Sequence, residues 1–136
     1  MRQIKFRGKR KDTGEWVHGD LQLGDGDHIP MIGEVVCGHD PHYVQVKEDT
    51  IGQFTGLYDK NGSPIYEGDI IGCHNPDIKH LIFYEEKQGR FMAALNGDIE
   101  NSFIGVCGLD SSRWNALKEV IGNIHDNPEL LKGGTK

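Results

Sequence analysis

The chain has 136 residues, of which 36% are hydrophobic and 26% charged, which is typical of one globular domain that needs no metal ion or disulfide to fold. Its 19 glycines are about twice the usual share, and without a G-x-y period they indicate short elements joined by tight turns, as in β proteins. The net charge is −6, but residues 1–11 carry six basic residues and no acidic one, so the rest carries −12, which argues against a protein that covers nucleic acid with a broad face.

The first half of the chain predicts short β-strands separated by turns. In residues 4–7 two apolar side chains alternate with two basic ones, a period of two that is typical of a half-buried strand. Pro30 has no N–H to donate, so we expect the segment around it to lie at a sheet edge. Further strands are predicted at 15–23 (returning beside the first strand as a hairpin), 28–31, 35–36 and 43–46, with turns at 11–14, 24–27 and 38–42.

The second half contains the clearest turn signal in the chain. The Asn61-Gly62 pair is typical of a tight hairpin turn, because both residues accept positive φ. Asn127 followed by Pro128 predicts one helical turn near the C-terminus, with asparagine as the cap and proline in the first helical position. The remaining predictions are a hairpin of 81–84 with 90–95, a short strand at 103–106, a strand at 119–124 within a region (111–121) that also fits a helix, and a flexible tail at 132–136.

One sequence pattern occurs twice. Thr13–Leu21 and Asn61–Ile70 both contain a turn, an apolar pair, a polar residue, Gly-Asp and an aliphatic residue, with one extra residue in the second copy. We interpret Gly-Asp as a strand end at which the carboxylate binds nearby backbone N–H groups. A duplicated binding loop is the functional alternative.

Four ordered blocks extend from residue 4 to residue 131: Ile4–Lys9 with Gly14–Leu21, Ile51–Gly62, Ile65–Ile70, and Val120–Leu131. Together they resemble the YopX-like proteins of bacteriophages and prophages. The resemblance implies β structure built on SH3-type barrels, self-association, a phage or prophage origin and a setting in the host cytoplasm. It implies no biochemical activity.

Fifteen residues within these blocks stand out as motif positions. They are mainly glycines, carboxylates and aromatic residues, the types that fix turns and strand ends. We expect them to serve the structure rather than chemistry. They are Trp16, Gly19, Asp20, Gly52, Thr55, Gly56, Asp59, Asn61, Gly62, Tyr66, Glu67, Gly68, Asp69, Gly122 and Asn123.

Candidate metal and catalytic groups are weak in this sequence. Cys37, His39 and His42, even with Cys73-His74, match no zinc spacing, and the three cysteines form no C-x-x-C pair. The Gly24–Asp27 loop lacks the closing glutamate of a calcium loop. Glu67 and Asp69 would share a strand face, but no nucleophile, metalloprotease or phosphate-loop motif is present. We therefore expect no catalytic residue, no metal ion and no cofactor.

The N-terminal basic strip is the remaining candidate site. Along a strand, alternate cations lie about 7 Å apart and could meet phosphates, so nucleic-acid binding is one interpretation. The interpretation that we favour is a charged edge strand that blocks sheet-to-sheet pairing, or a strip that pairs with the acidic body of the same or a neighbouring subunit. Trp16, Tyr43 and Tyr66 are not evidently interleaved with the strip. The strip consists of Lys5, Arg7, Lys9, Arg10 and Lys11.

The sequence thus predicts a mainly β protein: a small SH3-type barrel or roll with hairpins and one short C-terminal helical turn. We expect residues 1–131 to form one domain. Two intertwined SH3-like halves are an alternative arrangement of the same residues. We expect a non-catalytic binding or assembly module that forms a homo-oligomer, with a protein partner as a further expectation. A nucleic-acid-associated accessory protein is the first alternative and an enzyme of unidentified class the second. With no apolar run of about 20 residues and no signal-peptide pattern, we expect a cytoplasmic protein without membrane contact.

Overall fold

The computed structural model describes residues 3–24, 29–34, 40, 42–72, 77–87, 89–99, 104–105 and 118–132. The backbone divides into two compact units, which we call unit 1 (Met1–Phe54) and unit 2 (Thr55–Lys136). No helix within the described ranges has the length and apolar character that a membrane crossing requires. Whether the two units act as the single predicted domain stays a prediction.

The described residues form two antiparallel sheets, so the mainly β prediction is confirmed. In unit 1 the strand order is β4-β3-β2-β1, followed by the first residues of β5; in unit 2 the rest of β5 lies beside β6, and the second sheet has the order β10-β9-β8-β7-β11. The elements are β1 (Phe6–Lys9), β2 (Trp16–Gln22), β3 (Met31–Glu34), β4 (His42–Gln45), a 3₁₀ turn (Glu48–Thr50), β5 (Gly52–Tyr58), β6 (Pro64–Tyr66), β7 (Asp69–Gly72), β8 (Lys79–Glu85), β9 (Arg90–Leu95), β10 (Ile104–Gly105), β11 (Glu119–Asn123) and α1 (Glu129–Lys132).

The core of unit 1 lies on one face of its sheet. Val17, Ile32 and Val46 are buried there, and Phe6 packs against them. Beyond the ends of β1 and β4, an isolated antiparallel bridge joins Arg10 to Val46. That bridge brings the first and fourth strands of the unit together at one end, whereas closure into a complete barrel stays a prediction.

Two sequence predictions about unit 1 are wrong. β3 lies between β2 and β4 rather than at an edge, because Pro30 precedes the first paired residue and so withdraws no N–H from the ladder. Gly19 and Asp20 lie inside β2, where Asp20 pairs with Gly33, so this Gly-Asp copy does not end a strand.

Unit 2 buries side chains on both faces of its second sheet. One cluster contains Ile71 and Ile82, and the other contains Ile70 and Leu81. Because neighbouring residues of a strand point to opposite faces, these apolar pairs occur where a strand is covered on both sides. Leu130 of α1 packs against the second cluster, so the predicted helical turn covers one face of the sheet.

The turn between β5 and β6 is a hairpin, as predicted, but its backbone conformation differs. Gly62 has φ of +84°, whereas Asn61 is not among the residues with positive φ. The Gly62 N–H donates to the Asp59 carbonyl at 3.0 Å, and the Asp59 N–H donates to the Ser63 carbonyl at 2.9 Å. A longer turn organised around Asp59 therefore replaces the two-residue turn that both residues at positive φ would have formed.

Candidate cationic and aromatic binding face

Alternate side chains of β1 lie on opposite faces of the unit 1 sheet. Phe6 packs in the core, and the Cβ direction of Gly8 points at Val46 and Ile32. Since strand side chains alternate, Lys5, Arg7 and Lys9 lie on the face away from this core. The prediction that three cations share one face of the opening strand agrees with this placement.

Two aromatic rings lie among these cations. The register pairs Lys9 with Trp16, and the guanidinium carbon of Arg7 lies 4.6 Å from the centre of the Trp16 ring while the Lys9 ammonium lies 5.5 Å from it. The Lys5 ammonium lies 4.8 Å above the Phe54 ring. These are cation–π distances. The prediction that aromatic residues are not interleaved with the strip is therefore wrong for Trp16.

We call this surface the β1 face and define it as Lys5, Arg7, Lys9, Trp16, His18 and Phe54. Its members differ in exposure. Phe54 and Arg7 are 4% and 8% exposed, whereas Lys5, Lys9 and Trp16 are half-buried. The buried Arg7 thus supports the Trp16 ring, while the two lysines and the indole present surface to the solvent.

The charges of the β1 face do not protect a sheet edge. β1 pairs with β2 on one side, through Phe6–Lys9, and with the start of β5 on the other, through Phe6 and Arg7. A strand with a partner on each side has no open edge to block. The charged-edge-strand interpretation is therefore wrong.

His18 lies opposite Arg7 in the β1–β2 ladder and responds to these cations. Partial burial lowers the pKa of His18, and the nearby positive charges of Arg7 and Lys5 lower that pKa further, while the Glu34 carboxylate acts in the opposite direction. The imidazole is consequently neutral at neutral pH. Lowering the pH adds a positive charge to the β1 face.

The last two cations of the strip lie apart from the first three. Arg10 follows Lys9 in an extended backbone, so its side chain points to the opposite side of β1. Its guanidinium donates from Nε and Nη2 to the two carboxylate oxygens of Asp12, both at 2.9 Å. This hydrogen-bonded pair raises the pKa of Arg10 and lowers the pKa of Asp12. The five-residue strip is thus two separate groups.

A cleft of about 300 Å³ lies beside this second group. It forms where the Lys11 N–H donates to the Gln45 carbonyl at 3.0 Å, next to the bridge between Arg10 and Val46. The half-buried Val44 is the apolar residue of its lining, and the other lining residues are polar or charged. The lining residues are Arg10, Lys11, Asp12, Val44 and Gln45.

The other two aromatic residues considered with the strip lie elsewhere. Tyr43 belongs to β4, where its ring lies over Gly33 and remains 41% exposed. Tyr66 is buried in unit 2 at 2% exposure. Of these three aromatic residues, Trp16 alone belongs to the β1 face. A register count from the predicted turn at 11–14 places Trp16 opposite Lys9, so this contact had a signal in the sequence. Phe54 lies 49 residues after Lys5, which it contacts, and no signal in the sequence indicates that contact.

Asp59, a motif residue of unit 2, accepts three backbone N–H groups with its carboxylate. Its Oδ1 accepts the N–H groups of Asn61 at 2.9 Å and Ser63 at 2.8 Å, and its Oδ2 accepts the Val120 N–H at 3.0 Å. One buried carboxylate therefore closes the β5–β6 hairpin and joins it to β11. This role explains the Asp-x-Asn-Gly spacing without invoking chemistry.

Glu67 and Asp69 do not form an exposed carboxylate pair. Asp69 is 2% exposed, and its Oδ2 accepts the Tyr66 N–H at 2.7 Å across the turn of Glu67-Gly68. This second Gly-Asp copy behaves as interpreted, with a carboxylate that binds a nearby backbone N–H. A carboxylate held in this way is a structural element of the turn.

Gly122 and Asn123 organise the end of β11. A Cβ at Gly122 would lie 2.6 Å from the Asn127 side-chain oxygen, which accepts the Asn123 N–H at 3.3 Å. The Asn123 side-chain oxygen in turn accepts the N–H groups of His125 and Asp126. The remaining motif residues are Gly52, which pairs with Arg7; Thr55, which donates to the Ile65 carbonyl; Gly56 within β5; and Gly68 in the β6–β7 turn.

The metal and calcium candidates lie mostly outside the described residues. The candidate residues outside the described ranges are Cys37, His39, Cys73 and His74, together with three of the four residues of Gly24–Asp27. Across the ranges that are described, no three His, Cys, Asp or Glu side chains are grouped so that they could hold a metal ion.

Comparison with known proteins gives a likeness over nearly the whole chain. The sequence model of a family described as YopX protein matches residues 5–132. The crystal structure of protein EF1440 from Enterococcus faecalis is similar with a TM-score of 0.58 and 27% sequence identity, covering 96% of this chain and 99% of that one. No curated protein matches the chain. The likeness therefore includes both units and carries no named activity.

Proposed function

The chain belongs to the YopX protein family, and we propose that it is a non-catalytic binding module whose β1 face binds single-stranded nucleic acid. The observation that carries the proposal is the contact of Arg7 and Lys9 with the Trp16 ring on an interior strand of the sheet. Because β1 has a partner strand on each side, protection of a sheet edge does not explain its cations. Cations and aromatic rings on the face of an interior strand favour a ligand that has both negative charge and flat apolar groups.

Single-stranded nucleic acid has both of these properties. Its phosphates meet lysines, and its unpaired bases stack on aromatic side chains, each stacked base contributing about 1–3 kcal/mol. Lys5 and Lys9 lie four residues apart on one strand face, which places their backbone positions about 13 Å apart, with Arg7 between them and Trp16 opposite Lys9. A duplex keeps its bases stacked on each other, so it would use the lysines and offer no base to stack on the indole.

The same face explains why an overall acidic protein can take this role. The charge that a ligand meets is local, because in physiological salt interactions between exposed charges fade over about 8 Å. The net charge of −6 describes the whole chain, whereas the β1 face carries the three cations Lys5, Arg7 and Lys9. A narrow face of this kind suits one strand rather than a broad surface of duplex.

The experiment measures the anisotropy of a labelled oligothymidylate of about 16 nucleotides at several salt concentrations. We expect the double variant Lys5→Gln/Lys9→Gln to bind at least about tenfold more weakly in low salt and to show a salt slope smaller by about 1.4, since each phosphate contact on a single strand contributes about 0.7. We also expect Trp16→Leu to weaken binding with an unchanged salt slope.

The matched control removes the same charge from unit 2. Lys60 and Lys87 are exposed there, so Lys60→Gln/Lys87→Gln lowers the net charge equally without touching the β1 face. An equal loss of affinity in the control would mean that only net charge matters. Undetectable binding of the wild-type protein in low salt would refute the proposal.

A further inference from the structure

We infer that the cleft at the end of β1 is a subsite for one nucleotide, with the base stacked on the guanidinium of Arg10 and its phosphate beside Lys11. This inference rests on the proposed function and names the substrate class of a second site, separate from the β1 face. It starts from the two groups into which the basic strip divides.

The Arg10–Asp12 pair holds a flat surface in a fixed orientation. Two parallel hydrogen bonds at 2.9 Å fix the plane of the guanidinium, while the Arg10 side chain remains 32% exposed. A guanidinium plane held by a carboxylate fork is suited to stacking on a planar ring. Arginine planes stack on the unpaired bases of single strands in this way.

The charge balance of the cleft favours a base over a phosphate on Arg10. Asp12 already neutralises Arg10, and its carboxylate would repel an anion that approached the same guanidinium. A base is neutral and planar, so it gains the stacking contact without that repulsion. Lys11 is exposed and lines the same cleft, so it is the cation available to the phosphate.

The remaining walls suit the other parts of a nucleotide. Val44 offers an apolar surface, and the exposed amide of Gln45 has both a donor and an acceptor for a base edge. The volume of about 300 Å³ is at the lower end of the range for small-molecule sites, which suits one nucleotide rather than a larger ligand.

The cleft is close enough to the β1 face for one strand to reach both. Lys9 belongs to the face and Lys11 to the cleft, and Arg10 alone separates these two residues in the chain. The junction between them is fixed by the hydrogen bond from Lys47 N–H to the Lys9 carbonyl at 2.8 Å. A single strand bound over Trp16 must therefore pass around the end of β1 to place a nucleotide in the cleft.

The decisive variant is Arg10→Lys, because it keeps the charge and removes the flat guanidinium. We expect oligothymidylate to bind about fivefold or more weakly to it, which corresponds to the loss of one stacked base, with an unchanged salt slope. The matched control is Arg90→Lys, the same change at an exposed position of β9 in unit 2. We expect that control to bind as the wild type does.

A second variant and a direct readout test the same site independently. Gln45→Ala leaves the Arg10–Asp12 pair intact and should weaken binding as well. In an NMR titration of the wild-type protein with thymidine monophosphate, we expect the Arg10 Nε–H and Gln45 amide signals to shift, and those of Arg90 to stay in place. Thermal melting of each variant shows whether the fold is retained.

The outcomes separate the two proposals. If Arg10→Lys and Gln45→Ala bind as the wild type does while Lys5→Gln/Lys9→Gln loses affinity, the subsite is refuted and the proposed function stands. If the wild-type protein binds no oligonucleotide in low salt, both are refuted. Loss of affinity in both sets of variants, together with the two shifted signals, supports the subsite.

Discussion

Replacing Asp59 with alanine should destabilise unit 2 more than any other single carboxylate substitution that we describe. The change removes three hydrogen bonds from backbone N–H groups to one buried carboxylate. Bonds to a charged group are worth about 1.5–3 kcal/mol each, but Asn61 and Ser63 are exposed and water can replace the carboxylate there. The Val120 N–H is the contact that water replaces least well. We therefore expect the free energy of unfolding to fall by about 2–4 kcal/mol.

The substitution Asp59→Asn tests the geometry of the same contacts. The amide oxygen can still accept from Asn61 and Ser63, but the amide nitrogen then faces the Val120 N–H, so two donors meet. We expect a loss of about 1–2 kcal/mol, between the wild type and Asp59→Ala. The control Asp49→Ala removes an exposed carboxylate from the 3₁₀ turn and should change stability by less than about 0.5 kcal/mol.

Urea unfolding followed by circular dichroism measures these free energies, and hydrogen exchange of the Val120 amide reports on the contact itself. We expect that amide to exchange faster in both Asp59 variants and at the wild-type rate in Asp49→Ala. The reasoning fails if Asp59→Ala is as stable as the wild type. It also fails if Asp59→Asn is less stable than Asp59→Ala, because the retained contacts would then contribute nothing.

Three further predictions concern stability, pH and assembly. Gly122→Ala should lower stability by about 1–3 kcal/mol in thermal melts, because its Cβ would lie 2.6 Å from the Asn127 oxygen; an unchanged melting temperature would contradict this. Burial lowers the pKa of His80 in the folded protein. Below about pH 6.5 the unfolded chain therefore binds a proton at His80 more readily than the folded chain does, so the free energy of unfolding should fall as the pH is lowered. Urea unfolding at two pH values should show a smaller fall in His80→Gln, and an equal fall in both proteins would exclude His80 as its cause. Native mass spectrometry should give a homo-oligomer, and a monomer at every concentration would refute that expectation.

Much of the local structure followed from the sequence. The strand pair of 4–7 with 15–23, the pairing of 81–84 with 90–95 and the strand near 119–124 all correspond to observed elements, because each has alternation or a turn signal within its own segment. The C-terminal helical turn was also predicted, but the Asn127 side-chain oxygen accepts the Asn123 N–H, and the Asn127 carbonyl, not its side chain, accepts the Leu130 N–H. Wrong predictions arose for the position of a strand in its sheet, which depends on the strands that pair with it. Pro30 indicated an edge, but the strand that follows it gained a neighbour on each side.

The candidate site divides in the same way. The sequence determined that Lys5, Arg7 and Lys9 share one strand face, because alternation along a strand is a property of the chain itself. Only the tertiary structure decided which strands and side chains surround that face. It paired β1 on both sides, placed Trp16 and Phe54 beneath the cations, and turned Arg10 towards a separate cleft. Periodicity within a segment is local, whereas strand neighbours and the rings that they bring come from distant residues, so the fold alone turns a basic stretch into a surface.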